Sequence, residues 1–192
     1  MTHRSSSRCR GFTLTELAIV LGVIGVILSA IWVAASAVYA NKNTARAVEQ
    51  VLQIVNGFRA MYGAHQVDSG PWQTNITSMA ISNGIMPSDM IQSGNTSNGI
   101  GPWSGSTVLV YSGSNWNVIG IQYSGLSQQA CNDLADALIT GGNPQLVYAA
   151  LPGGTAWFSI NGSAPYFTTS QISQTYCQAG SGNYVQLMYS MN

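Results

Sequence analysis

Glu16 is the side chain whose placement calls for chemistry. It stands in front of residues 17–40, 24 positions without a charge, and behind Arg4, Arg8 and Arg10, three of the chain's six basic residues. At ~1.5 Å rise per residue such a helix spans ~36 Å, enough for a ~30 Å hydrocarbon core. A carboxylate costs ~3 kcal/mol near the centre of a membrane helix, less near its end, and it needs a partner. An opposite charge ~4 Å away at an effective dielectric of ~20 offsets that cost with ~4 kcal/mol. No basic side chain on the same helix is placed to do so. A new α-amino group would be, if the chain were cut just before Phe12. An amine on its own helix is awkwardly placed, so a neighbouring copy is the better donor. The chemistry is ion pairing between chains.

The other reactive side chains form no reaction set. Beyond the basic N-terminal stretch the one histidine is His65, which reads as a solvated capping residue. A zinc set is therefore incomplete, and no CxxC occurs. Asp133 and Asp136, three apart on a predicted helix, come nearest to a cation site but read as a solvated face. A GxSxG elbow, a phosphate loop and a dinucleotide fingerprint are all missing from the sequence. No catalytic residue, metal ligand or cofactor is assigned, and the chain does not read as an enzyme. The Trp and Tyr residues suit head core and subunit contacts better than a sugar platform. Asn75-Ile76-Thr77 matches a glycosylation sequon in pattern only. Only 6% of residues are charged, against ~25% in a typical domain, with six acids against six bases. Such a balance cannot neutralise phosphates, which excludes a nucleic-acid partner. An apolar share of 46% argues against disorder.

These residues need a long helix and a head. Val48, Val51, Leu52, Val55, Phe58 and Tyr62 recur at spacings of three and four, with Arg46, Glu49, Gln50, Gln53, Asn56 and Arg59 around them. No proline precedes Pro71, and Gly63 and Gly70-Pro71 supply the stop. The pattern predicts one helix over residues 12–64. Gly22 and Gly25 inside it read as close-packing positions. The remainder predicts a short helix at 76–83 and strands at 108–111 and 116–123 around Ser112-Gly113-Ser114-Asn115. It also predicts a helix from the N-cap Ser127 to about Ile139, ended by Gly141-Gly142, and strands at 145–150, 157–160 and 184–189. On that helix Cys131, Leu134 and Leu138 share a face. The fold class is α+β, a long N-terminal helix packed on an antiparallel sheet head.

Three ordinary readings compete for the apolar segment. A secretory signal would end near Ala35-Ser36-Ala37 or Val38-Tyr39-Ala40, but the apolar run is long for one. A plain membrane anchor is the second. Lipoprotein processing fails because Cys9 precedes the apolar run. The arginine cluster favours a cytoplasmic N-terminus, although Lys42 and Arg46 flank the other end. Neither surviving reading explains Glu16.

Arg10-Gly11-Phe12-Thr13-Leu14-Thr15-Glu16-Leu17, leading into an apolar helix, resembles the class III signal of type IV prepilins. The resemblance implies that a prepilin peptidase cuts between Gly11 and Phe12 on the cytoplasmic side and that Phe12 is then N-methylated. It implies a leader at 1–11, a helix at 12–64 whose 12–40 portion serves as membrane span and filament core, and an α+β head at 65–192. Glu16 is then the assembly residue, neutralising the Phe12 amine of an adjacent subunit. Cys9 leaves with the leader, and three basic against six acidic side chains remain, a net −3. Cys131 and Cys177 are left to pair in an oxidising compartment, bounding residues 131–177, or to stay as two buried thiols.

Residues 124–131 also resemble the segment carrying the first cysteine of type IVb pilins. Residues 83–90 and Gly101-Pro102-Trp103-Ser104-Gly105 are similar to conjugative thin-pilus and toxin-coregulated-type pilins. There Pro-Trp is often followed by Gly-Gly, from which Ser104 departs. The short leader and Phe12 are closer to type IVa habit. The implied function is a structural subunit that moves from the bacterial inner membrane into an extracellular homo-oligomeric filament. Adhesion, aggregation, conjugation or motility would follow. Implied partners are prepilin peptidase, the inner-membrane assembly machinery and a host or recipient-cell surface. A minor pilin, a secretion pseudopilin and a Sec-secreted or anchored binding module are the alternatives.

Overall fold

The computed structural model describes residues 13–63, 74–113, 118–140, 146–152, 158–159, 176–180 and 182–191. The chain divides into two compact units, Met1–Tyr39 and Ala40–Asn192. Helix α1, Leu14–Tyr62, begins in the first and ends in the second. Gly63 stops it in the left-handed region at φ 55°, its N–H donating to Arg59 O at 2.8 Å, as a helix C-terminus favours. The predicted ends at residues 12 and 64 lie outside the described residues.

In the first unit every side chain from Thr13 to Tyr39 is exposed except that of Ala35, which is half-buried. Leu14 is 85% exposed and Trp32 76%. This segment is long and apolar enough to cross a membrane. A Cβ on Gly22 or Gly25 would meet nothing within 4 Å, so no packing within the chain requires either glycine.

The second unit is built on one antiparallel sheet. Its seven described strands are β1 Thr74–Asn75, β2 Gly99–Ile100, β3 Thr107–Gly113, β4 Val118–Leu126, β5 Leu146–Ala150, β6 Phe158–Ser159 and β7 Asn183–Ser190. Their order is β1-β3-β4-β7-β5-β6, with β2 beside β3. The expected β3–β4 hairpin is present, Gly113 facing Val118. Its connection at 114–117 lies outside the described residues. Short helices α2, Thr77–Ser82, and α3, Gln128–Ala135, complete the unit with a 3₁₀ turn at Ser88–Met90. The strands β1 and β2 and the 3₁₀ turn were not expected from the Gly- and Ser-rich composition of that stretch.

The second half of α1 closes one face of the core through Ala47, Gln50, Val51, Ile54, Val55 and Phe58. All of them but Gln50 cluster with Val110, Ile121, Leu134 and Leu187. The predicted stripe is corrected at two positions. Leu52 is exposed at 38%, and Gln50, assigned to the polar side, is buried at 2%. An amide can occupy the core because its hydrogen bonds are met there. Ser127 caps α3 as expected, its hydroxyl accepting from the Ala130 N–H at 3.2 Å. Cys131, Leu134 and Leu138 are buried together. From Asp136 to Thr140 the chain widens into a π turn instead of continuing as α-helix to Ile139. Gly141 and Gly142 lie outside the described residues.

Candidate functional site

Glu16 has a local partner that explains part of its placement. The Thr13 N–H and hydroxyl both donate to Glu16 Oε2, at 2.9 and 2.8 Å, and the Glu16 N–H donates to Thr13 Oγ1 at 3.3 Å. This is a reciprocal capping box, and its signature Thr13-x-x-Glu16 was readable in the sequence, though passed over. The box ties an acid to the first turn, where the helix dipole favours negative charge. Oε1 stays outside the box. Gly11 and Phe12, the predicted cleavage and methylation residues, lie outside the described residues.

In the head a polar cluster joins α1 to the 3₁₀ turn. Asp89 Oδ2 accepts from Arg46 Nε at 2.9 Å and from Gln50 Nε2 at 2.8 Å, and Arg46 reaches Glu49 at 2.7 Å. Gln50 Oε1 accepts in turn from the Tyr123 hydroxyl at 3.2 Å. Burial opposes the Asp89 charge, but the hydrogen bonds from Gln50 and Arg46 prevail and hold its carboxyl below the usual range. Tyr123 and Tyr189 are both fully buried, and desolvation pushes both phenols up. Arg59 donates to Ser190 O at the end of β7. None of these groups forms a nucleophile–base pair; the cluster fixes the packing of α1.

Cys131 and Cys177 are joined in a disulfide with Cα atoms 5.8 Å apart and 46 positions between them in sequence. The bond ties α3 to the segment before β7. Gln128 Nε2 donates to Cys177 O at 3.1 Å. Asn183, buried and unremarked in the sequence, donates to Leu126 O, Gln178 O and Gly180 O and accepts from the Gln178 N–H. Most of the loop enclosed by the disulfide, including 160–175, lies outside the described residues.

Asp133 accepts from Gln129 Nε2 at 2.7 Å. Burial, with the Asp136 charge, pushes its carboxyl up against that hydrogen bond. Among the described residues no three His, Cys, Asp or Glu side chains gather as metal ligands. His65 lies outside them. In the sequon, Asn75 Oδ1 accepts from the Thr77 N–H and hydroxyl at 2.9 and 2.7 Å, and Thr77 is fully buried. That hydroxyl also accepts from the Val110 N–H at 2.9 Å, tying α2 to β3.

Comparison with known proteins places these features. Residues 6–32 match the prokaryotic N-terminal methylation motif. Residues 41–190, most of the chain, match the family described as PilS N terminal. The crystal structure of TcpA, a type IV pilin from the Vibrio cholerae El Tor biotype, is similar with a TM-score of 0.49 and 13% identity, over 78% of this chain and 99% of that one. No curated protein sequence matches. The pilin family is structural, not enzymatic, and its N-terminal motif implies processing by prepilin peptidase. With that motif ahead of an apolar helix and the PilS match across the head, the chain belongs to the PilS family and is a type IV pilin, a structural subunit of a pilus.

Proposed function

We propose that the chain polymerises through residues 12–40 into an extracellular type IVb filament serving adhesion, aggregation, conjugation or motility. Prepilin peptidase cuts between Gly11 and Phe12, and the new Phe12 amine is methylated. The segment waits in the inner membrane and then passes to the filament core, where sister helices replace lipid around it. The observation carrying this reading is an apolar surface left open on all sides of the first half of α1, whose one carboxylate is held at the first turn. Buried in either medium, Glu16 needs a counter-charge, and the Phe12 amine of an adjacent subunit supplies one. The ion pair then sets register as well as relieving burial. The cysteine-bearing helix α3 and the size of the head favour type IVb. A host or recipient-cell surface is the partner of the finished filament.

The test is intact mass with N-terminal sequencing of the protein from cells. A start at methylated Phe12 is expected. A start at Val38 or Asn41 would mean secretion, and an uncut N-terminus a plain anchor. The capping box adds a second test. Glu16→Gln keeps a side chain that can close the box but removes the charge. It should be processed and folded yet form few filaments, as should Glu16→Ala. Normal filaments from Glu16→Gln would leave Glu16 a helix cap and nothing more.

A further inference from the structure

An uncharged cleft beside the β2–β3 loop has no part in the roles above. It opens to solvent with a volume of about 610 Å³, and its walls include Gln92, Asn98, Ile100, Trp103, Ser104 and Thr107. No charged side chain lines it, so a phosphate, carboxylate or cation finds no counter-charge there. The polar rim equally disfavours a wholly apolar ligand.

The loop that carries Trp103 is fixed in place. Gly101 N–H donates to Ser106 O at 3.1 Å, and the Ser106 N–H and hydroxyl both donate to Trp103 O, at 3.0 and 2.6 Å. A Cβ on Gly101 would stand 2.5 Å from Ser106 Oγ, and one on Gly125 would stand 2.8 Å from Gly105 O, so β4 backs the loop closely. Trp103 meets buried Tyr123 at 87° with ring centroids 6.2 Å apart. It is half-buried and lines the cleft. The sequence reading gave the aromatics to core and subunit contacts; Trp103 divides itself between core and cleft. The Gln92 amide and the Ser104 hydroxyl carry no side-chain hydrogen bond among the described residues, and Asn98 uses only Oδ1, accepting from Asn95.

We propose that this cleft binds a neutral saccharide, with one pyranose ring against Trp103 and its hydroxyls on Gln92, Asn98 and Ser104. A pyranose face is a set of C–H groups that an indole removes from water. The hydroxyls around that face need uncharged donors and acceptors, which amides and a serine provide. The pinned loop pre-organises the platform, so little ordering cost falls on binding. An open cleft of this depth fits single-site dissociation constants on the order of 1 mM. The sugar is either free in solution or part of a surface glycan.

The experiment uses the full chain in a phosphocholine detergent, whose headgroup carries no sugar. One arm titrates maltose, lactose and chitobiose by calorimetry, and the other measures retention on beads bearing the same disaccharides as immobilised chains. Saturable binding in the first arm identifies a free sugar; binding confined to the second identifies an anchored glycan. In either case Trp103→Ala should weaken binding about tenfold, the loss expected for one aromatic contact. Gln92→Ala, at an exposed position without a side-chain bond, should weaken it about threefold and keeps the test decisive if Trp103→Ala misfolds. No saturable binding in either arm, or binding unmoved by these variants, overturns the proposal.

Discussion

The two halves of α1 are one helix written for two surroundings. Up to Tyr39 the apolar side chains cover the whole circumference and all but Ala35 are exposed. From Ala40 onward burial selects one face, through Ala47, Val51, Ile54, Val55 and Phe58. Their glycines differ in the same way. Gly22 and Gly25 have open space around them, whereas a Cβ on Gly57 would stand 2.9 Å from Ile85 Cγ2. A helix packed on a sheet needs a stripe and a close-approach point. A helix surrounded on all sides by lipid or by its own kind needs no single stripe, so the sequence there shows length and apolarity without periodicity.

That division can be broken from either side. The largest effect belongs to Glu16→Gln. Filament yield should fall to a few per cent of normal in electron micrographs while the thermal melt of the head stays unchanged; a shifted melt would show that the halves are coupled. Phe58→Ala should reverse the pattern. Removing a fully buried ring costs about 4 kcal/mol of head stability, read by denaturant unfolding, with membrane retention unaffected. A glycine pair sharpens the contrast. Gly57→Ala forces a methyl against the β-branched Ile85 and should cost about 1 kcal/mol after its gain in helix propensity, whereas Gly22→Ala should leave the head melt where it was.

The smallest effect is Asp89→Asn, read as a change in the acid limb of stability. The folded carboxyl titrates below its unfolded value of about 3.9, so its contribution is complete above that pH and fades as pH falls through the folded value. With 37% of the side chain exposed, screening leaves about 0.5 kcal/mol at neutral pH, and the variant should lose that acid-dependent part.

The elements visible in the sequence were those with local signatures. Ser127 announced α3, the run Val108–Tyr111 beside the turn residues Ser112-Gly113-Ser114-Asn115 announced β3, and the length of the uncharged run announced the first half of α1. Once a leader was recognised, the count of two left Cys131 and Cys177 either paired or as buried thiols, and the structure has them paired. Gln50 was misplaced because periodicity ranks an amide as polar and knows nothing of Asp89 and Tyr123, 39 and 73 positions away. Asn183 shares that reason only in its bond to Leu126, 57 positions distant; its bonds to Gln178 and Gly180 are local, but no sequence motif marks them. The Trp103 platform depends on a loop closed from behind by Gly125, which no local pattern reports. The Glu16 capping box is different. Its signature, Thr13-x-x-Glu16, is short-range and legible in the sequence.

The position of β7 bears on how the head is made. Among the described strands β7 comes last and lies between β4 and β5, making a long antiparallel ladder with β4 and a shorter one with β5. The other described strands therefore leave the ribosome before the one that joins them, and until then β4 and β5 each lack a neighbour on that side. The head therefore cannot close until β7 has been made, whatever surroundings receive it. Deleting residues 183–190 would not trim this head but leave its sheet in two pieces.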